Sequence, residues 1–136
     1  WEKNLLKEMP NINIISKPCP LLAPMAEEGW VDNEIARLTI KEYLKDVDNI
    51  DKLILGCTHY PLFSKLIKEE ISPKTEIINT GIVIAKYLKD YLSKNGLETS
   101  KSKGKCTAYL TDLDCKFEKI ANNFIGKSIN LKKAEM

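Results

Sequence analysis

The sequence has 136 residues, 43% hydrophobic and 29% charged, which is enough to fill the core of one domain. Its 21 basic and 19 acidic side chains leave a net charge of +2, and the cations are all lysine except Arg37, which argues against a dedicated nucleic-acid reader. No apolar run approaches the roughly 20 residues that span a bilayer, so no membrane role is expected.

In chain order, Trp1–Glu8 reads as the tail of an amphipathic helix, with apolar positions 1, 5 and 6, halted by Met9 and Pro10. With no starting Met and no signal-peptide pattern, the chain reads as beginning inside a longer protein. Asn11–Ile15 is a β-type run closed by the loop around Pro18 and Pro20. Asp32 is placed to cap a helix in which Ile35, Leu38, Thr39, Tyr43 and Leu44 follow helical spacing to about Lys45. Lys52–Leu55 reads as a buried strand ending at Gly56. Pro61 then opens a helix carrying Leu62, Leu66, Ile67 and Ile71, stopped at Ser72-Pro73. Glu76–Asn79 is the next strand, and Thr80 or Gly81 starts a helix with Ile84, Ala85, Leu88, Tyr91 and Leu92, ended by Gly96.

The polar stretch from Glu98 to Lys105, with Lys101 and Lys103, reads as a solvated loop. Cys106–Thr111 is a further strand. Asp112 or Asp114 caps a helix with Phe117, Ile120, Ala121, Phe124 and Ile125, ended by Gly126, and Ile129–Leu131 is a last edge strand. Alternation of strands with helical crossovers predicts an α/β layered fold, its mainly parallel sheet flanked by helices. Ligands in such folds bind beyond the carboxyl ends of the strands, here after Ile15, Leu55, Asn79 and Thr111.

Four cysteines, Cys19, Cys57, Cys106 and Cys115, form no CxxC pair, and without a secretion signal they read as reduced thiols in a cytoplasmic protein. Cys106 and Cys115 read as packing residues, and Cys19 as partly exposed without a partner. The segment from Gly56 to Pro61 differs. Gly56 allows a sharp turn off the strand end, and Cys57, Thr58 and the chain's one histidine, His59, follow at the mouth of the sheet. With Pro61 presetting a helix, amides near Thr58 and His59 would form a helix N-terminus, which favours a thiolate and a bound carboxylate. Thiol, hydroxyl and imidazole in three consecutive residues suit proton transfer, but a packing role stays open. A metal at Cys57 and His59 lacks two further ligands at suitable spacing, so no metal is expected.

Gly56-Cys57-Thr58-His59-Tyr60-Pro61-Leu62 resembles the second cysteine motif of the glutamate racemases. Cys19-Pro20-Leu21-Leu22-Ala23-Pro24-Met25-Ala26-Glu27-Glu28-Gly29 resembles an upstream stretch of the same family, and Ile77–Thr80 and Tyr109–Thr111 fit its order. The resemblance spans residues 11 to 131. It implies interconversion of L- and D-glutamate without a cofactor, one thiol removing the α-proton and another returning one to the opposite face. It further implies that Cys57 is the second of these thiols, that Thr58 and His59 hold substrate, that His59 tunes Cys57, and that Glu27 assists His59. The family's first cysteine, followed by Asn-Thr, has no counterpart here, so the chain corresponds to a C-terminal portion expected to be inactive alone. Residues 1–79 would be most of a second racemase domain, and 80–136 a segment returning to the first, leaving apolar surface exposed. Asn79 stands where an acid is expected, and Thr111-Asp112-Leu113-Asp114 where a Thr-Ser-Gly-like turn is expected. The implied setting is cytoplasmic supply of D-glutamate for peptidoglycan, with small-molecule glutamate as partner and a homo-oligomer left open. An aspartate- or hydantoin-type racemase and a non-catalytic carboxylate-binding module are the alternatives.

Overall fold

Each secondary element in the computed structural model follows from a local chemical signal, and the packed ones converge on one face of a parallel strand pair. The structure describes residues 2–99, 104, 106–112, 118, 120–122, 125–126 and 128–134. Trp1, Lys101, Lys103, Lys105, Leu113, Asp114, Cys115, Phe117 and Phe124 lie outside the described residues.

Helix α1 (Glu2–Glu8) is followed by irregular chain through Asn11–Ile15. The strand expected there does not form. Ile12 and Ile15 are exposed, and an alternating run is stable as a strand only where a neighbouring strand pairs with it. Helix α2 (Leu22–Glu27) was not foreseen, because the prolines of the flanking loop mask a pattern in which Leu22, Met25 and Ala26 are buried. It ends at Gly29, whose φ of +76° needs a residue without a side chain. The amide of Trp30 reaches back to the carbonyl of Met25 at 2.8 Å and that of Gly29 to Ala26 at 3.0 Å, the paired bonds of a Schellman stop.

Helix α3 (Glu34–Leu44) is capped by Asn33, whose side chain accepts from the Ala36 amide at 2.9 Å. Asp32 is therefore not the cap; it pairs instead with Lys65 at 2.8 Å. The buried stripe also differs from expectation. Ala36 and Ile40 are buried and Tyr43 and Leu44 partly so, whereas Ile35 and Leu38 are more than half exposed. Ala36, fully buried, lets α3 approach its neighbours closely, so a small residue sets the packed face.

Strand β1 (Lys52–Leu55) pairs in parallel with β2 (Glu76–Asn79), Leu53 opposite Ile77 and Leu55 opposite Asn79. Lys52 and Glu76 form an ion pair across the strand starts. Only one face of β1 is packed: Leu55 is buried and Leu53 lies against the core, while Ile54 on the other face is 38% exposed. Between the strands run a 3-10 turn, Tyr60–Phe63, and helix α4 (Ser64–Glu70). Phe63, Leu66 and Ile67 are buried against α2, α3 and Leu55 in one cluster. Arg37 clips α3 to α4 through Glu69 at 2.5 Å and Glu70 at 3.7 Å.

Helix α5 (Thr80–Lys94) starts where Asn79 accepts from the amides of Gly81 at 3.0 Å and Ile82 at 3.4 Å. It ends at Gly96, again with φ positive, at +65°. None of its residues is buried, and Ile82, Val83, Ile84, Tyr87, Leu88 and Tyr91 face solvent. The exposed apolar surface expected from the sequence is present. Strand β3 (Thr107–Leu110) pairs in parallel with β4 (Asn130–Lys133), so the described strands make two separate two-stranded parallel sheets. Cys106 precedes β3 and is exposed rather than buried. The described residues between 118 and 125 are helical, Ala121 is buried, and Gly126 ends the run with φ of +69°.

Phe63→Ala leaves a cavity at the centre of the cluster and is expected to cost about 3–5 kcal/mol. Asn33→Ala, which removes only a cap, should cost about 1 kcal/mol. Urea unfolding of both variants, with the same slope as the parent, is the check.

Candidate functional site

The polypeptide leaves β1 at Leu55, turns at Gly56, and presents Cys57, Thr58 and His59 at the carboxyl end of the strand pair. The turn closes when the Tyr60 amide donates to the Cys57 carbonyl at 3.2 Å, and the Leu62 amide to the His59 carbonyl at 3.1 Å. Pro61 and these short-range bonds make the first four residues a 3-10 turn, and α4 begins only at Ser64, whose hydroxyl caps the Pro61 carbonyl at 2.6 Å. The expected helix N-terminus at Thr58 and His59 is therefore replaced by a tight turn, and the longer dipole of α4 starts five residues later. Thr80 ties the neighbouring element to the same strand end, its hydroxyl 3.4 Å from the Leu55 carbonyl.

Cys57 and His59 are partly buried and in contact: Cys57 Sγ lies 3.6 Å from His59 Nδ1. The opposite ring nitrogen, Nε2, lies 3.5 Å from Glu27 Oε1. Glu27 is the last residue of α2, so the Schellman stop at Gly29 fixes the turn from which its carboxylate reaches the imidazole. Of the residues singled out in the sequence, Cys57, His59 and Glu27 thus form a continuous row, and Thr58 stands exposed at its rim. At 3.5 Å the carboxylate contact is longer than a well-formed N–H···O bond, and the Glu27 side chain is 63% exposed.

The arrangement has a defined proton logic. A carboxylate beside Nε2 favours a proton on that nitrogen, which leaves Nδ1 to accept from the Cys57 thiol. Moving that proton from sulfur to Nδ1 creates a thiolate beside an imidazolium, and the Glu27 charge stabilises the imidazolium. Among the described residues no three His, Cys, Asp or Glu side chains are grouped to hold a metal ion.

Two residues that were not singled out for the site hold the start of α2, the helix that carries Glu27. The Tyr60 hydroxyl donates to the Cys19 carbonyl at 3.3 Å, and the Tyr43 hydroxyl accepts from the Leu21 amide at 3.1 Å. Burial pushes the Tyr60 hydroxyl above its ordinary range, with the neighbouring Cys19 adding to the effect. Cys19 itself is partly buried, donates to the Lys17 carbonyl at 3.6 Å, and lies outside the row. Trp30 is 45% exposed just past α2. A separate groove of about 310 Å³, lined by Lys41, Leu44, Ile50, Glu70 and Thr75 among others, opens at the amino ends of β1 and β2, away from Cys57. No helix among the described residues is long and apolar enough to cross a membrane.

The described residues define a parallel-stranded α/β protein with a thiol, an imidazole and a carboxylate in line at a strand's carboxyl end. No protein-family profile matches the chain. Individual relatives do. A glutamate racemase of Sulfurihydrogenibium sp. is 42% identical over 128 residues, covering 93% of this chain and 46% of the relative. One of Persephonella marina is 40% identical over 133 residues, covering 96% and 49%. Among solved structures, a glutamate racemase of Francisella tularensis in complex with D-glutamate superposes with a TM-score of 0.89 at 32% identity, covering 98% of this chain and 51% of that one. Isoform RacE1 of Bacillus anthracis gives 0.88 at 30% identity, covering 99% and 52%. Sequence and fold together place the chain in the glutamate racemase family. It spans about half the length of the curated relatives it matches.

The thiols outside the row supply a control. Burial raises the Cys19 thiol above its ordinary range, more than the Lys17 charge and the Tyr60 hydroxyl lower it. A disulfide reagent at mildly alkaline pH should therefore label exposed Cys106 before Cys19, as read by peptide mass spectrometry. Because the folded thiol titrates above the unfolded one, its contribution is complete below the unfolded pKa and is lost as pH rises through the folded one. Cys19→Ala should accordingly flatten the alkaline limb of the stability profile.

Proposed function

We propose that this chain is the C-terminal portion of an enzyme that interconverts L- and D-glutamate by two-base thiol chemistry, with Cys57 as one base. The observation that carries the reading is the imidazole of His59 set between the Cys57 thiol and the Glu27 carboxylate, at 3.6 and 3.5 Å. The D-glutamate bound to the similar Francisella tularensis enzyme supports the choice of substrate.

In this reading, His59 takes the Cys57 thiol proton, and the thiolate accepts the α-proton of glutamate as its carbon–hydrogen bond breaks. The electron pair passes into the substrate carboxylate, where fixed donors, Thr58 among them, stabilise the added charge. A second thiol outside this chain delivers a proton to the opposite face, which inverts the centre and leaves that thiol as the thiolate. The reverse direction uses the same groups with exchanged roles. No cofactor takes part, because the substrate's own carboxylate accepts the electron pair.

Residues 1–79 form most of one racemase domain, and residues 80–136 return to the other. The exposed apolar residues of α5 accord with a segment that packs against the other racemase domain. With only one of the two catalytic thiols, the 136-residue chain is inactive alone. The whole enzyme is cytoplasmic and supplies D-glutamate to peptidoglycan synthesis.

The test is α-proton exchange of L- and D-glutamate in heavy water, followed by NMR, with this chain and with a full-length enzyme containing it. Exchange by the full-length enzyme, reduced at least about 10³-fold by Cys57→Ala and absent from the shorter chain, is expected. Absence of exchange with both isomers in the full-length enzyme would overturn the assignment.

A further inference from the structure

The hydroxyls of Tyr60 and Tyr43 converge on the start of α2, although the turn that carries the thiol and imidazole lies on a different element. The Cys19 carbonyl accepts from the Tyr60 hydroxyl at 3.3 Å and from the Leu22 amide, in the first turn of α2, at 3.2 Å. Leu21, at the N-cap position, offers no side chain to the free amides of the helix start. The Tyr43 hydroxyl accepts from the Leu21 amide instead. Six residues later the same short helix ends at Glu27, against His59 Nε2, and His59 is the neighbour of Tyr60. A closed circuit results: Tyr60 to Cys19, along α2 to Glu27, across to His59, and back to Tyr60 through one peptide bond.

We propose that Tyr60 is a positioning residue, whose hydroxyl bond to the Cys19 carbonyl sets the reach of Glu27 to His59 and so the reactivity of Cys57. The inference rests on the racemase reading for its consequence in turnover, but not for its geometry. The Glu27 contact is long and its side chain largely exposed, so no burial of the carboxylate itself fixes it. A helix of six residues, about 9 Å long, has too few internal bonds to hold its own direction. Apolar packing of Leu22, Met25 and Ala26 holds α2 to the core, yet such contacts are non-directional and tolerate sliding along the axis. The two tyrosine bonds are directional and act at the end of α2 opposite Glu27.

The experiment is a double-mutant cycle in the full-length enzyme with Tyr60→Phe, Glu27→Gln and the pair together. Two rates are read: kcat for glutamate α-proton exchange, and alkylation of Cys57 by iodoacetamide, resolved by peptide mass spectrometry. Tyr60→Phe should slow both by about fivefold with KM unchanged, and should cause no further loss in the Glu27→Gln background. Equal losses in the two backgrounds, no loss on Tyr60→Phe, or a silent Glu27→Gln would each overturn the proposal. If the parent enzyme exchanges neither isomer, the racemase reading fails while the alkylation arm still decides the role of Tyr60. Tyr43→Phe, which removes the second hydroxyl bond to the start of α2, guards against a fold-specific failure of Tyr60→Phe and should reproduce its pattern.

Discussion

Close packing of Phe63 is the constraint on which the rest of this structure depends. Its ring is fully buried where α2, α3, α4 and the inner face of β1 meet, so pulling any of these elements away from it opens a void. The same residue closes the 3-10 turn that begins one residue after His59. Core and candidate site are therefore one piece of chain: the buried end of a four-residue turn anchors the partly buried residues that precede it, where the thiol and imidazole stand. The placing of the thiol–imidazole pair follows from dense packing four residues beyond His59, whereas the reach of Glu27 depends on how α2 is held.

Those polar contacts are modest, and that suits their task. An imidazole with a thiol on one nitrogen and a carboxylate facing the other can accept a proton without first being desolvated as an isolated charge. Glu27 reaches in from a separate element, so the thiol–imidazole pair is local in sequence but its counter-charge is not. The geometry of the row consequently depends on how α2 is held, and α2 is held at its start by tyrosine hydroxyls and at its end by the backbone stop at Gly29.

How much of this was legible beforehand can be judged residue by residue. Lys52–Leu55 and Glu76–Asn79 were readable because short apolar runs bounded by Gly56 and by Asn79 leave little choice but a strand. Helix α5 was readable because Thr80 or Gly81 marks its start and Gly96 its stop, although its cap, Asn79, had been read only as the end of a strand. Asn11–Ile15 misled, since alternation describes one strand's two faces and says nothing of whether a partner exists. In α3, counting large apolar residues pointed to Ile35 and Leu38, whereas fully buried Ala36 marks the packed face. Cys57 and His59 stood out from local chemistry alone. Glu27 came only through resemblance, because a contact across 32 positions leaves no trace in spacing. Tyr60 sat inside the recognised motif, but its hydroxyl's partner, a backbone carbonyl 41 residues away, is invisible without coordinates.

The solvent-facing stripe of α5 bears on how this chain unfolds. Fifteen residues is near the shortest length at which an isolated helix persists in water, and α5 contributes no buried residue to the Phe63 cluster. Among the described residues its coupling to the core runs mainly through its first turn, by the Asn79 cap and the Thr80 bond to Leu55. Among the described residues α5 is thus joined to the Phe63 cluster at one helix end, and its local opening is expected to cost less than global unfolding. The helical signal of α5 is therefore expected to fade over a broader range of temperature than that of the helices packed around Phe63.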